Sequence, residues 1–178
     1  MTLDEIKTLV RTVPDFPKPG IQFRDVTTLI GHGQGFAATI AHLAERTQAT
    51  GAQAIAGMEA RGFIFGAAVA SHLGLPFVPV RKPGKLPVPV LAMDYALEYG
   101  TDTLEVDPDS VADAKKVMII DDLIATGGTA VAAVELLRQA GASVSHALFV
   151  IDLPDIGGAD RLRGANVNVD ALMDFAGD

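Results

Sequence analysis

One short segment of the chain combines residues that are suited to binding a phosphorylated sugar. Asp121 and Asp122 follow an apolar run, and a loop of small residues comes after them: Ala125, Thr126, Gly127, Gly128 and Thr129. The glycines allow a tight turn, and the N–H groups at the start of a following helix attract an anion. Residues 123–134 contain no acidic side chain that would repel a phosphate. Carboxylates only accept hydrogen bonds, so the aspartates suit a pair of ribose hydroxyls.

Each half of this segment also has a plainer interpretation. An Asp-Asp pair alone is compatible with a helix cap, and two glycines alone are compatible with an ordinary turn. The complete pattern from 117 to 130 favours a binding site for ribose 5-phosphate, because it joins the anion site and the hydroxyl acceptors in one turn.

A second segment is unusual for its charge. Residues 60–93 contain no Asp or Glu, although the chain has 22 acidic residues in 178. The same segment carries the four cations Arg61, Arg81, Lys82 and Lys85, giving it +4 in a chain of net charge −8. Such an island predicts a bound polyanion, and pyrophosphate is the candidate beside a phosphoribosyl site. The alternative is a solvated basic loop at the surface.

The elements that must position these residues alternate between strands and helices. Buried strands are predicted over 53–58, 76–80, 117–121 and 144–151, and helices over 34–49, 63–73 and 128–140. This order predicts an α/β fold with a mostly parallel sheet flanked by helices. Ligands of such sheets bind at the carboxyl ends of the strands, which here lie near residues 58, 80 and 121.

The remaining segments are less regular. Thr2 and Glu5 have the spacing of a capping box, and apolar residues at helical intervals predict a helix that continues through Val13 and ends at Pro14. Residues 31–35 are interpreted as a turn before a helix. Residues 81–100, with three prolines, are expected to be irregular, and a segment of this length is usually either a lid or disordered. Strands are expected over 101–106 and 166–175.

Composition excludes several classes of protein. The chain has no cysteine, so disulfides, thiolate zinc sites and cysteine nucleophiles are excluded. Its acidic balance argues against nucleic-acid binding, and no apolar run is long enough to span a bilayer. The length predicts one domain over 1–178, and a cytoplasmic location is expected.

Five segments resemble known enzymes. Residues 117–130 (VMIIDDLIATGGTA) resemble the signature of type I phosphoribosyltransferases, which use phosphoribosyl pyrophosphate (PRPP). Residues 57–63, 81–87 and 17–25 resemble, in order and spacing, the pyrophosphate loop, basic loop and N-terminal hood of the adenine phosphoribosyltransferases. Residues 95–100 resemble the end of that family's lid. The resemblance implies a hood over about 1–33, a core over about 34–165 and a flexible lid over about 81–100.

The resemblance also implies an activity and a role for each matching residue. The expected reaction converts adenine and PRPP to AMP and pyrophosphate in purine salvage. Catalysis is assigned to Glu98 and Arg61, and ribose binding to Asp121 and Asp122. The 5′-phosphate would lie on residues 125–129. The residues assigned to pyrophosphate are Glu59, Ala60, Arg61, Arg81, Lys82 and Lys85.

Further assignments concern the base, the lid, the metal and the partner subunit. Phe23, Arg24 and Leu123 would bind adenine, although Phe23 fits equally well as a core anchor of the hood. Tyr99 would help to close the lid, and Glu98 in isolation could be an exposed acid. Mg²⁺ would be held mainly by PRPP and water, with no dedicated protein ligands. A homodimer is implied, in which Arg81 reaches the neighbouring site.

Two other functions stay open at this point. One is a phosphoribosyltransferase for another base, against which the hood and residues 97–100 argue. The other is a PRPP-binding regulator without catalytic activity, which would need a basic surface or an added nucleic-acid-binding segment.

Overall fold

A single parallel sheet forms the centre of the molecule. The computed structural model describes residues 1–96, 100–113 and 115–177. In chain order the elements are α1 (Leu3–Lys7), β1 (Arg11–Pro14), β2 (Gln22–Asp25), α2 (Thr27–Ile30), α3 (Gly33–Gln48), β3 (Ala54–Met58), α4 (Arg61–Leu73), β4 (Phe77–Val80), β5 (Leu91–Ala96), β6 (Thr101–Val106), β7 (Lys116–Ile124), α5 (Gly128–Gln139), β8 (Ser143–Asp152), α6 (Gly158–Gly164) and β9 (Asn168–Asp174). The five-stranded sheet has the order β4-β3-β7-β8-β9, with every neighbouring pair parallel. The predicted α/β fold with a mostly parallel sheet flanked by helices is therefore confirmed.

Strand β7 shows why the sheet is buried on both faces. Its residues alternate, so that Val117 and Ile119 belong to the core cluster on the α5 side, with Leu136 and Leu137 of that helix. Met118 and Ile120 belong to the opposite cluster, which includes Leu43 of α3 and Phe65 of α4. A strand covered by helices on both faces reads as one continuous apolar run. The run ends where Asp121 and Asp122 reach the carboxyl edge of the sheet.

The N-terminal segment differs from its prediction. The capping box forms, since the Thr2 amide donates to Glu5 Oε2 at 2.8 Å and the Glu5 amide donates to Thr2 Oγ1 at 3.2 Å. The helix, however, ends at Lys7. Residues 11–14 form β1, which pairs with β2 in antiparallel register. The predicted helix through Val13 is wrong, because pairing with β2 satisfies the backbone and a few apolar residues do not define a helical period.

The predicted irregular segment 81–100 also contains a regular element. Its last part forms β5, which pairs with β6 in an antiparallel hairpin. Alternate residues Leu91, Met93 and Tyr95 pack against the core. This period of two is typical of a half-buried strand, and the prolines at 83, 87 and 89 all precede it. The strand predictions for 101–106 and 166–175 are confirmed by β6 and β9. In the described part of the chain, no helix is both long and apolar enough to cross a membrane.

Candidate active site

A cavity opens at the carboxyl edge of the sheet, where β3 and β7 end. It has a volume of about 320 Å³. Its walls consist of the predicted phosphate and ribose residues together with part of the predicted pyrophosphate group: Met58, Glu59, Ala60, Arg61, Lys82 and residues 121–130. The structure thus brings together segments that are far apart in the sequence.

The loop 125–129 forms the end of the cavity at the start of α5. Gly127 has φ of +75°, a conformation that side chains disfavour, and α5 begins at the next residue. The first turn of a helix has N–H groups without intrahelical partners, and the helix dipole adds positive potential there. The hydroxyls of Thr126 and Thr129 lie on the same wall. This geometry suits a phosphate dianion.

A close backbone contact from α6 supports this loop. A Cβ atom added at Gly158 would lie only 2.1 Å from the carbonyl oxygen of Ala125 and 2.8 Å from the amide nitrogen of Gly127. Only glycine permits that approach, so Gly158 is a functional position that the sequence reasoning missed. The Gly157-Gly158 dipeptide signals no more than a turn when it is considered without the loop on which it packs.

Strand β7 extends past its predicted end at residue 121, so that Asp122 as well as Asp121 lies inside the strand. The Asp122 carboxylate is 5% exposed and accepts a hydrogen bond from Arg61 Nε. The Asp122 amide donates to Asp121 Oδ1 at 2.8 Å. Burial, and after it the negative charge of Asp122, raise the pKa of Asp121 well above its usual value of 3.8. The two carboxylates therefore form a pair that would gain from a hydrogen-bond donor such as a diol.

The predicted pyrophosphate residues divide into two groups. Glu59, Ala60, Arg61 and Lys82 line the cavity, and α4 begins at Arg61, two residues earlier than predicted. The Glu59 carboxylate accepts from Arg81 Nε and Nη2, each at 3.2 Å, and from the Lys82 amide at 3.1 Å. These hydrogen bonds, with that of Arg81 first, lower the pKa of Glu59. Arg81 and Lys85 do not line the cavity, and Arg81 Nη1 donates to the Lys85 carbonyl at 3.0 Å.

A second and more apolar cavity adjoins the first. It has a volume of about 490 Å³ and shares Arg61, Leu123, Ala125 and Thr126 with the first cavity. Its other walls come from β2, the residue before it and the segment after β8: Ile21, Gln22, Phe23, Arg24, Leu153 and Ile156. All three residues predicted to bind adenine, Phe23, Arg24 and Leu123, therefore face one space. Sequence reasoning missed Leu153 and Ile156, although they follow the carboxyl end of a predicted strand.

Phe23 and Arg24 also make contacts within the N-terminal region. The Phe23 ring meets Phe16 edge to face, with centroids 5.2 Å apart. The Arg24 guanidinium donates to Thr12 Oγ1 at 2.6 Å and to the Ala176 carbonyl at 2.9 Å. Phe23 is thus both a packing residue of the hood and a wall of the cavity. The predicted catalytic Glu98 and the lid residue Tyr99 lie outside the described residues.

Comparison with known proteins identifies the class to which this fold and site belong. Residues 27–161 match the family described as the phosphoribosyl transferase domain. The chain thus contains a phosphoribosyltransferase domain, and its fold is that of this class.

Individual relatives show which family of phosphoribosyltransferases the chain resembles. The chain is 68% identical to an adenine phosphoribosyltransferase of Novosphingobium aromaticivorans over 99% of both chains. The crystal structure of adenine phosphoribosyltransferase from Thermoanaerobacter pseudethanolicus superposes with a TM-score of 0.92 and 44% identity, covering 98% of this chain and 100% of that one. The crystal structure of adenine phosphoribosyltransferase from Saccharomyces cerevisiae contains D-2,5-dideoxy-2,5-imino-altritol 1,6-bisphosphate and adenine. It superposes with a TM-score of 0.88 and 37% sequence identity, covering 96% of this chain and 98% of that one. The chain belongs to the adenine phosphoribosyltransferase family.

Proposed function

We propose that this chain transfers the phosphoribosyl group of PRPP to adenine, giving AMP and pyrophosphate in purine salvage. The observation that carries the proposal is the junction of the two cavities, which share Arg61, Leu123, Ala125 and Thr126. A sugar phosphate in the polar cavity and a flat base in the apolar cavity would meet there. The ribose C1 atom and the attacking nitrogen would then be neighbours, which converts a bimolecular reaction to one within a complex.

The polar cavity suits PRPP from end to end. Residues 125–129 would hold the 5′-phosphate through backbone N–H groups, and Asp121 and Asp122 would accept hydrogen bonds from the 2′- and 3′-hydroxyls. The Asp122 carboxylate can do so while keeping its bond to Arg61, because a carboxylate has several acceptor positions. This grip fixes the orientation of C1 toward the base.

The cationic side of the cavity would stabilise the leaving group. As the bond to pyrophosphate breaks, C1 gains oxocarbenium character and negative charge grows on the leaving oxygens. Arg61 and Lys82 lie on the cavity wall, where they can offset that charge as it develops. Lys85 and Arg81 of the basic loop would add to this field. Glu59 and Ala60 form the turn that presents Arg61.

The apolar cavity would hold adenine between Phe23 and Leu123, with the backbone from Ile21 to Arg24 along its edge. Adenine must lose its N9 proton as the new bond forms. We assign Glu98 to N7 of the purine, where a carboxyl group could polarise the ring for that loss. Tyr99 and the lid would close over the site and keep water from the reactive sugar.

Magnesium enters the proposal as a partner of PRPP. The cavity presents the carboxylates of Asp121 and Asp122, with Asp122 beside Arg61, and carboxylate oxygens fit a hydrated ion carried by phosphates. Mg²⁺ keeps several waters and needs few protein ligands, so it would be held mainly by PRPP and water. When bound, it would neutralise part of the pyrophosphate charge.

The proposal extends to assembly and location. We propose a homodimer in which Arg81 can leave Glu59 and reach the neighbouring site, because Arg81 does not line the cavity of its own chain. We also propose a cytoplasmic location, since a substrate as highly charged as PRPP does not cross membranes unaided. Sedimentation of the purified chain with and without PRPP tests the dimer.

The function is tested by supplying the chain with PRPP, Mg²⁺ and one base at a time, and recording pyrophosphate release. We expect release with adenine and little with hypoxanthine, xanthine or orotate. Release with one of those bases in place of adenine would reassign the substrate. Binding of PRPP with no release on any base would indicate a regulator.

A further inference from the structure

Three polar side chains meet near the turn end of the β5–β6 hairpin, one residue pair before the strands end. Lys82 Nζ donates to Asp102 Oδ2 and to Tyr95 Oη, the latter at 2.9 Å. Tyr95 Oη donates in turn to Asp102 Oδ2 at 3.0 Å. Tyr95 and Asp102 are opposite each other in the antiparallel register. The sequence reasoning assigned no role to Tyr95 or Asp102.

This triangle connects both ends of the polar cavity. Lys82 lies on the cavity wall at the pyrophosphate side. Thr129, in the loop at the phosphate side, donates its hydroxyl to Tyr95 Oη at 3.4 Å. The Tyr95 hydroxyl thus accepts from Lys82 and Thr129 and donates to Asp102, which uses its full hydrogen-bonding capacity.

The charges of the triangle are complementary. Burial alone would lower the pKa of Lys82, but its hydrogen bonds to Asp102 and Tyr95 outweigh burial and raise it. The bond from Lys82 also lowers the pKa of Asp102. Both groups are therefore charged at neutral pH. An ammonium has three N–H donors, and two of them are directed to Asp102 and Tyr95.

From this geometry, and given the proposed function, we infer that Asp102 is a positioning residue for Lys82. Its carboxylate holds the ammonium at the cavity wall so that the third N–H is directed to an oxygen of the pyrophosphate group. Lysine carries its charge at the end of a flexible four-carbon side chain. A fixed partner restricts the conformations of that side chain before the ligand binds, so binding costs less conformational entropy. Asp102 would act through Lys82 and would not touch the substrate.

Substitution of Asp102 tests this inference, with Asp94 as the matched control. Asp94 lies on the same hairpin and accepts from Thr103 Oγ1 at 2.6 Å, so Asp94→Asn removes the same charge without affecting Lys82. We expect Asp102→Asn to raise the KM for PRPP roughly 3- to 30-fold, which lies within the range for members of one hydrogen-bond network. The KM for adenine and the affinity for AMP should stay within about twofold, since neither ligand carries pyrophosphate.

A double-substitution experiment separates positioning from a general structural role. In a Lys82→Met background, Asp102→Asn should raise the KM for PRPP by less than about twofold further, because its effect operates through the lysine. Additive effects would overturn the inference, as would a fall in the KM for PRPP, which would mean that Asp102 competes with the ligand. If a thermal unfolding measurement shows that Asp102→Asn is not folded, Tyr95→Phe is used in its place. We expect it to raise the KM for PRPP by a smaller factor.

Failure of this inference is distinct from failure of the proposed function. If the function is wrong, the wild-type chain and Asp94→Asn release no pyrophosphate from PRPP and adenine. If only the inference is wrong, both are active and Asp102→Asn has the same KM for PRPP as they have.

Discussion

The two ends of the polar cavity differ in how they could bind an anion. At the phosphate end, the loop 125–129 offers backbone N–H groups, and its shape is set by the contact between Gly158 and Ala125. At the pyrophosphate end, both cations of the cavity wall have a carboxylate partner: Arg61 with Asp122 and Lys82 with Asp102. Backbone donors carry no counter-charge, whereas each of these cations keeps a carboxylate beside the anion that it would bind.

This difference matches the proposed chemistry. The 5′-phosphate belongs to substrate and product alike, so a rigid site serves both. Pyrophosphate must be stabilised as it leaves and then released, and cations that share their charge with a carboxylate can bind it and still release it. An interaction that strengthens only as charge develops raises kcat, whereas one that is equal in both states does not. The following substitutions test this division, from the largest expected effect to the smallest.

Gly158→Ala should have the largest effect. The new Cβ would overlap the Ala125 carbonyl oxygen, so the phosphate loop must move, and a displacement near 1 Å can cost roughly 100-fold in kcat/KM. Steady-state kinetics with PRPP measures the loss. Gly164→Ala is the matched control in the same helix, because its Cβ would have no neighbour within 4 Å. Equal activity of the two variants would show that the loop does not depend on α6.

Asp122→Asn should come next. It removes the acceptor charge for the diol and the buried partner of Arg61, and a hydrogen bond to a charged group contributes about 1.5–3 kcal/mol. We therefore expect kcat/KM for PRPP to fall by about 10- to 100-fold, and Asp121→Asn to act in the same direction. Wild-type kinetics for either variant would remove the ribose assignment.

Arg61→Ala should slow turnover about tenfold, less than the loss of a lone oxyanion donor, because Lys82 also lines the pyrophosphate end. AMP lacks pyrophosphate, so its affinity should be largely kept. Single-turnover kinetics and AMP titration measure the two quantities separately. If a folded Arg61→Ala protein lost AMP binding, Arg61 would contact the nucleotide itself and would not serve pyrophosphate alone.

The smallest expected effect concerns stability. Because the pKa of Asp121 is raised on folding, the ionised group destabilises the folded state once the pH exceeds its unfolded value of 3.8. The loss of stability grows with pH until the pH exceeds the pKa of Asp121 in the folded protein. Asp121→Asn should therefore raise the free energy of unfolding at pH 8, by about 0.5–2 kcal/mol, and the gain should shrink toward pH 4.

Urea unfolding at a series of pH values measures this gain, with the exposed Asp113→Asn as control. A variant less stable than wild type at pH 8, or a gain independent of pH, would contradict the raised pKa. A stabilised but inactive Asp121→Asn protein would show that this carboxylate serves the ligand at the expense of the fold.

Local patterns were sufficient to predict the centre of the fold. The short, β-branched apolar run 117–120 favours a strand covered on both faces, and the glycines and threonines after it mark the start of α5. The carboxyl ends of parallel strands share one edge of the sheet, so the predicted strand order also placed Arg61 and Asp122 near one another. The hairpin β5–β6 was predicted only in its second strand, because the prolines that precede β5 obscure the alternation of Leu91, Met93 and Tyr95.

The remaining features depend on tertiary contacts that no short pattern records. Gly158 is required because of Ala125, which is 33 residues away in the sequence. The acidic partner of each cation likewise depends on the fold and is not recorded in the local sequence, as the pair of Lys82 and Asp102 shows. A charge count identified the basic island, but it could not tell which cations line the cavity and which, like Lys85, do not.

The most direct test of the account is the structure of a crystal soaked with AMP. We predict the phosphate on the amides of residues 125–129, the ribose hydroxyls on Asp121 and Asp122, and the adenine ring in the cavity beside Phe23 and Leu123. A nucleotide bound at any other place, or one whose phosphate lies among Arg61 and Lys82, would contradict it.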